Sequence, residues 1–142
     1  MRTVRQILST KPQIHAVGPD DTVFDALKVM ADFNIGAVLV TENGELVGIL
    51  SERDYARKGI LQGHASKDTP VRALMTDRVV SVPASWSVHH CMSLMTERRI
   101  RHLPVVDEGR LVGVISIGDV VRAVVEEQQF TISALQSYIA TA

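Results

Sequence analysis

The chain has 142 residues, of which 46% are hydrophobic and 22% are charged, and its formal net charge is -1. This composition excludes a disordered chain, and the near-zero charge gives no general attraction to nucleic acid or to a membrane, so neither is expected as a partner. Cys91 is the only cysteine, which excludes intrachain disulfides, and the sequence has neither a long apolar run nor a signal-type segment, so we expect a cytoplasmic protein.

The first half of the chain contains the signals of a strand, a helix, a β-hairpin and a further helix. Apolar residues recur at helical spacing between Val23 and Met30, and Asn43-Gly44 is a strong two-residue hairpin turn. Ser51 can cap the next helix, and Pro70 can start a short one. The predicted elements are a strand at 14–17, a helix carrying 23–30, strands at 35–41 and 46–50, a helix at 51–61 and a short helix at 70–75.

The second half repeats this order. Ser85 can cap a helix that carries Val88 and Met95, and Glu108-Gly109 takes the position of the first hairpin turn. Ser116 is predicted to open the last long helix. The remaining predicted elements are strands at 79–82, 103–106 and 111–115, and a helical tail whose residues Ile132, Leu135 and Ile139 share one face that could pack on its own module or on a partner.

The two halves align without a gap at a displacement of 65 positions, from Ile14/Val79 to Ile60/Val125. The alignment pairs Gly48-Ile49-Leu50-Ser51-Glu52-Arg53-Asp54 with Gly113-Val114-Ile115-Ser116-Ile117-Gly118-Asp119. Self-similarity at a fixed displacement indicates that one supersecondary unit is used twice. Whatever Ser51 and Asp54 do in the first repeat, we expect Ser116 and Asp119 to do in the second.

The repeated Ser-x-x-Asp has two possible interpretations. It resembles a capping box, in which each side chain satisfies a free N–H at a helix start, although aspartate is shorter than the usual Glu or Gln and is expected to reach back less well. The alternative is a nucleoside site. A carboxylate there could accept both ribose hydroxyls, and strand glycines Gly48 and Gly113 would let a ligand approach the backbone closely.

The doubled motif resembles the tandem CBS domain, or Bateman module. Each repeat carries apolar-Gly-apolar-apolar-Ser-x-x-Asp after a hairpin, and the segment Arg101-His102-Leu103-Pro104-Val105-Val106 is similar to the family's second strand. The resemblance covers about residues 4–125. It implies an α+β fold in which two pseudo-symmetric β-α-β-β-α repeats pack as one module. The domains then expected are repeat 1 at residues 1–65, repeat 2 at 66–130 and a C-terminal helical tail at 131–142.

The resemblance also implies a regulatory function without catalysis. Members of the family bind adenosine-containing ligands (AMP, ADP, ATP, NAD or S-adenosylmethionine) in two clefts between the repeats, and modules commonly pair into a homodimer. Ligand binding would bias the orientation of the repeats and signal to a protein partner that the sequence does not identify. The alternatives are a constitutive dimeric interaction protein with vestigial clefts and an enzyme that acts on nucleotides.

Site residues follow from the resemblance by position. The Ser and Asp of each motif would contact ribose, the residues after the strand glycines would wall the adenine, and the strand starts would supply backbone contacts or phosphate charge. Each motif is expected to share a site with the strand start of the other repeat: Asp54 with Arg101 and His102, Asp119 with Gly36 and Ala37. The implied ligand-binding residues are Ile35, Gly36, Ala37, Ile49, Ser51, Arg53, Asp54, Ile100, Arg101, His102, Val114, Ser116 and Asp119.

Other site chemistry is weakly supported by the sequence. Cys91 aligns with Ala26 on the apolar face of a helix, which indicates a buried small residue and not a nucleophile. His89 and His90 are adjacent, so on a helix they point about 100° apart and do not form a chelating pair. No nucleophile–base pair, phosphate-binding loop or zinc-ligand spacing occurs, so we expect no catalytic residues, no metal and no catalytic cofactor.

Overall fold

A computed structural model describes residues 2–10 and 14–141. The fold class is α+β, as predicted from the sequence. Among the described residues no helix is long and apolar enough to cross a membrane. The elements are α1 (Val4–Leu8), β1 (Ala16–Val17), α2 (Val23–Phe33), β2 (Ala37–Glu42), β3 (Glu45–Ser51), α3 (Glu52–Asp54) with a π-helical continuation (Tyr55–Gly59) and a 3-10 turn (Ile60–Gln62), α4 (Val71–Leu74), α5 (Val88–Arg98), β4 (His102–Asp107), β5 (Arg110–Ser116) and α6 (Ile117–Thr141).

The chain forms two compact units, which we call the first unit (residues 13–80) and the second unit (residues 1–12 together with 81–142). The first unit contains most of the predicted repeat 1 together with residues 66–80, and the second unit contains the rest of the predicted repeat 2. The predicted domain boundaries at residues 65 and 130 follow the sequence repeats and stay a prediction. The packing units differ from them because the N-terminal segment belongs with the second repeat and residues 66–80 belong with the first.

The first unit is built on a three-stranded sheet in which β2 is central, parallel to β1 and antiparallel to β3. Alternate residues of the hairpin, among them Val38 and Leu50, belong to the apolar core with Val23 and Met30 of α2. Helix α2 begins after Thr22, whose side chain accepts a hydrogen bond from the Asp25 N–H at 3.1 Å. The predicted strand–helix–hairpin order is therefore confirmed in this unit.

The second unit is built on the antiparallel β4–β5 hairpin. Helix α5 contributes the fully buried Val88 and Cys91, and α6 contributes Val120. The strand predicted at residues 79–82 is not a strand; only Val82 forms an isolated parallel bridge, to Val105. Pro104 takes the position of Leu39, whose N–H donates to the His15 carbonyl at 3.3 Å in the first unit, and it has no N–H to make the equivalent bond to Val80.

Three predicted helices differ from the observed ones, either in the residue where they begin or in the type of helix. The helix expected from Ser85 begins after Ser87, whose side chain accepts a hydrogen bond from the His90 N–H at 3.1 Å. Pro70 is the extended residue before α4 and not its first helical residue. The helix expected at 51–61 changes to a π-helical course at Tyr55, and the ring of that residue lies 2.9 Å from the point where a Cβ on Gly59 would be.

The sequence predicted no helix in the N-terminal segment. This segment packs on the second unit in the position that α4 occupies in the first. The Val4 N–H donates to the Trp86 carbonyl at 2.9 Å, and the Val71 N–H donates to the Asp21 carbonyl at 2.8 Å. Both valines are fully buried. Trp86 and Asp21 are equivalent positions of the two repeats. Segments 2–8 and 69–75 are therefore a further pair of equivalent parts.

Each β-hairpin turns through two residues with positive φ. The values are 55° and 81° at Asn43 and Gly44, and 50° and 77° at Glu108 and Gly109. This is the pattern of a type I′ turn, which Asn-Gly suits because asparagine tolerates the left-handed region at low cost. Glutamate does not share that tolerance, so the second hairpin holds a small strain that the first lacks.

We expect Glu108→Asn to raise the free energy of unfolding by up to about 1 kcal/mol, because asparagine relieves the cost of the left-handed backbone. Urea titration followed by circular dichroism measures the change. The matched control is Asn43→Glu, which should lower stability by a similar amount. A stabilised Asn43→Glu variant would contradict the explanation.

Candidate functional site

Both Ser-x-x-Asp motifs form a reciprocal capping box at a helix start. In the first unit the Ser51 N–H donates to Asp54 Oδ2 at 3.1 Å, and the Asp54 N–H donates to Ser51 Oγ at 3.1 Å. In the second unit the corresponding distances between Ser116 and Asp119 are 2.8 and 3.2 Å. The expectation that aspartate would reach back poorly is wrong, since the carboxylate lies within hydrogen-bond distance in both repeats.

The register of each hairpin places the motif beside the strand start of its own repeat. Ser51 is paired with Ala37, and Ser116 with His102. The first helical N–H after each serine donates to the residue before that strand, from Glu52 to the Gly36 carbonyl at 3.0 Å and from Ile117 to the Arg101 carbonyl at 2.8 Å. The expected sharing of sites between the repeats stays a prediction.

Each aspartate also has a basic neighbour on its own helix. Asp54 Oδ1 lies 3.6 Å from Lys58 Nζ, and Asp119 Oδ1 lies 3.6 Å from Arg122 Nη1. The carboxylate side chains are 20% and 13% exposed, so they are accessible but mostly covered. The prediction did not include these two basic residues, although spacings of four and three along a helix could have identified them.

The two predicted adenine-wall residues, Ile49 and Val114, are half-buried. Successive strand residues point to opposite faces, so Ile49 lies on the face opposite to the core residue Leu50. Ile35 packs against the first unit's core, and its N–H donates to the Met30 carbonyl at 2.9 Å.

The remaining predicted residues differ in exposure and in what their backbone does. The Ile100 N–H donates to the Met95 carbonyl at 3.0 Å, as the Ile35 N–H does to Met30 in the first unit. Both of these N–H groups thus close the end of a helix. Arg53 and Arg101 are exposed, whereas Gly36 and His102 are half-buried and Ala37 is buried.

The two strand glycines serve packing within each unit. A Cβ on Gly48 would lie 2.5 Å from Met75 Sδ and 3.0 Å from the Thr76 carbonyl oxygen. A Cβ on Gly113 would lie 2.6 Å from Leu8 Cδ2. The close approach that these glycines allow is therefore made by the segments after α4 and at the end of α1. The interpretation of the glycines as openings for a ligand is wrong, and the serine–aspartate pairs carry the ligand argument alone.

Candidate reactive groups outside the motifs are few. Cys91 is fully buried, and this burial raises the pKa of its thiol to about 11, so the thiolate is scarce at neutral pH. Within residues 2–10 and 14–141 no group of three or more His, Cys, Asp or Glu side chains is placed to hold a metal ion.

The family model for the CBS domain matches the chain twice, at residues 4–59 and 71–126. These two matches cover most of the sequence and coincide with the two capping boxes and hairpins. The chain therefore belongs to the CBS domain family, and the predicted resemblance is confirmed. CBS pairs are regulatory ligand-binding modules.

Three related proteins illustrate the similarity. A CBS-domain protein from Burkholderia ambifaria MC40-6, described as a signal-transduction protein, is 52% identical, with a TM-score of 0.85 and coverage of 92% of this chain and 98% of that one. The mitochondrial CBS domain-containing protein CBSX3 of Arabidopsis thaliana is 47% identical over 125 residues, which are 84% of this chain and 61% of that protein. The chain thus spans less than two thirds of that relative's length.

The third is the CBS domain pair of protein MJ0100, solved in complex with 5′-methylthioadenosine and S-adenosyl-L-methionine. It is 28% identical, with a TM-score of 0.79 and coverage of 89% of this chain and 98% of that one. Both of its ligands contain an adenosine group.

We expect Gly48→Ala to lower the free energy of unfolding by about 1–3 kcal/mol, the usual cost of overpacking. The new methyl group would clash with Met75 Sδ and with a backbone oxygen that cannot move independently. Adding Met75→Ala should recover part of the loss, as measured by a double-mutant cycle of urea denaturations.

The matched variant is Gly113→Ala, where the three atoms nearest to the new methyl group all belong to the flexible Leu8 side chain, and its cost should be smaller. If both glycine variants kept wild-type stability in the ligand-free protein, the packing explanation would fail.

Proposed function

We propose that the protein is a non-catalytic sensor of adenine nucleotides, in which the Ser-x-x-Asp motif of each repeat binds the ribose of AMP, ADP, ATP or NAD. S-adenosylmethionine is the next candidate. Binding would change a surface that a regulated protein partner recognises. The proposal includes a homodimer in the cytoplasm, with no membrane or nucleic acid partner.

One observation carries the proposal: a mostly covered aspartate carboxylate, bonded to a serine at a helix start, occurs once in each repeat of a chain whose relative binds adenosine-containing molecules. A carboxylate has about four lone-pair positions. The capping box uses one oxygen of Asp54, and the second oxygen faces Lys58 at the long distance of 3.6 Å. Capping and ribose binding are therefore compatible at this residue, because the box leaves acceptor capacity on the carboxylate.

The helix start also favours binding of a ligand phosphate. Free N–H groups and the partial positive charge of a helix N-terminus attract phosphate oxygens. In the first repeat the exposed side chain of Arg53 adds charge at the helix start, whereas the equivalent residue of the second repeat is Gly118. In the second repeat the exposed Arg101 stands at the strand start, whereas the equivalent residue of the first is Gly36. The two repeats therefore differ in charge at both of these positions, so unequal affinities for phosphorylated ligands are part of the proposal.

The experiment uses Asp54→Asn and a panel of AMP, ADP, ATP, NAD, S-adenosylmethionine and GMP, with binding measured by calorimetry. The asparagine oxygen can still accept the Ser51 N–H, but the group loses its negative charge. We therefore expect affinity for the preferred adenine ligand to fall by roughly tenfold to a hundredfold, corresponding to about 1.5–3 kcal/mol. The free energy of unfolding should change by less than the loss of a helix cap costs, which is about 0.5–2 kcal/mol.

The matched control is Asp25→Asn, which makes the same change in charge at the third position of α2, after the Thr22 cap. Its affinity should equal that of the wild-type protein. A wild-type protein that binds no member of the panel would favour the alternative, a constitutive interaction protein. Equal losses in Asp54→Asn and Asp25→Asn would assign the effect to overall charge.

Arg101→Ala tests the phosphate contact. The Arg101 side chain is exposed, so its removal should leave the fold unchanged. We expect AMP affinity to fall, by up to about 1.5–3 kcal/mol for a desolvated charged contact and by less for an exposed one, while adenosine affinity changes little. Parallel titrations with the two ligands measure the difference. Equal losses for AMP and adenosine would place Arg101 at the base or in support of the fold.

A further inference from the structure

Helix α6 continues far beyond the part that packs on its own unit. It runs for 25 residues, and its buried residues are Val120, Ala123 and Val124. Every residue from 128 to 141 is exposed. A helical segment of this length without packing is marginal in water, because most helical stability in proteins comes from burial of an apolar face.

The exposed part of α6 carries an apolar face with a regular spacing, which we call the α6 stripe. Its residues succeed one another at intervals of four, three, four, three and four, as the a and d positions of a heptad repeat do. The five apolar members are between 44% and 71% exposed. The α6 stripe consists of Val121, Val125, Gln128, Ile132, Leu135 and Ile139.

We propose that the α6 stripe forms a parallel two-stranded coiled coil with the α6 stripe of a second copy of this chain. The a positions are Val125, Ile132 and Ile139, all β-branched, and the d position of the second full heptad is Leu135. β-Branched residues at a with leucine at d favour two parallel strands. The six layers make three heptads, the least length at which a heptad pattern indicates a coiled coil.

Charge on the helix favours a second copy over other occupants. After Arg122 the only charged side chains of α6 are Glu126 and Glu127, and neither is at a stripe position. An anionic membrane surface or a nucleic acid would require lysine or arginine beside the apolar face, and this part of the helix has none. From Val125 onward the positions that flank the stripe are uncharged (Gln129, Thr131, Gln136 and Tyr138), so this part of two identical helices does not repel.

Gln128 selects the parallel orientation. In a parallel pair the two Gln128 side chains occupy the same layer and can hydrogen-bond to each other. In an antiparallel pair centred on the stripe, Gln128 would face Ile132 and its amide would be left without a partner. A polar residue at one core position is a common means of fixing register and orientation.

The orientation is tested by oxidative cross-linking of the full chain carrying Leu135→Cys. In the parallel pair the two cysteines at this d position lie within the short Cα separation that a disulfide requires. We expect a covalent dimer under mild oxidation. Ser137→Cys, on the opposite side of the helix, is the matched control and should form little of the covalent cross-link. Cys91 is common to both variants and is fully buried. Equal cross-linking of the two variants, or none in Leu135→Cys, would overturn the proposal.

The interface is tested by sedimentation of the double variant Ile132→Asp with Leu135→Asp. Both residues are exposed within the chain, so the two units should remain folded. We expect the dimer dissociation constant to rise by about a hundredfold or more and the helical signal of the monomer to fall. Ser133→Asp with Ser137→Asp adds the same charge away from the stripe and should keep the dimer. A monomeric wild-type protein would overturn the proposal and would mean that a different partner covers the stripe. An unchanged dimer in the stripe variant would also overturn it.

Discussion

The register of the two β-hairpins determines where every candidate ligand-binding group lies. Each type I′ turn sets the pairing next to it, and a bulge after Val40 and after Val105 then shifts the register, so that the end of the returning strand lies beside the start of the outgoing one. Ser51 is thereby held opposite Ala37, and the first N–H of α3 reaches the Gly36 carbonyl. A shift by one residue would move the valines and leucines of the core to the other face. The apolar pattern, the turn and the bulge together thus fix the position of these polar groups.

Much of the fold could be predicted from the sequence because turns and helix starts are specified by residues close together in the chain. Asn43-Gly44 and the flanking apolar segments specify a hairpin, and Ser51 and Asp54 specify a helix start with a box. The fixed displacement then transferred these assignments to the second repeat. The strand expected at residues 79–82 did not form because Pro104 on the partner strand has no N–H to donate to it, and periodicity within the segment does not show the pairing partner. Element type follows from local chemistry, whereas element length depends on non-local partners.

The residues of the candidate site could be predicted from their types, but the role of each residue could not. The structure assigns Gly48 and Gly113 to packing against Met75 and Leu8, side chains distant in sequence, so an argument from a single strand could not identify their neighbours. A second signal was available: Val4-Arg5 recurs as Val71-Arg72, at a displacement of 67 and not 65. The change in displacement marks a part of the repeat that is supplied by a different stretch of chain.

The attachment of residues 2–8 to the second unit affects the order in which the chain can fold during synthesis. Thr3 pairs with Ser87, and the Val88 N–H donates to the Arg2 carbonyl, so the contacts of this segment require residues made more than eighty positions later. The unit at residues 13–80 has no such delay, since its strands and its α4 segment emerge together. Closing a long loop slows the formation of non-local contacts, and domains generally fold as they emerge. The N-terminal segment therefore cannot pack on its unit until the second repeat has been synthesised. Until then Val4 and Leu8 remain accessible to solvent or to a chaperone.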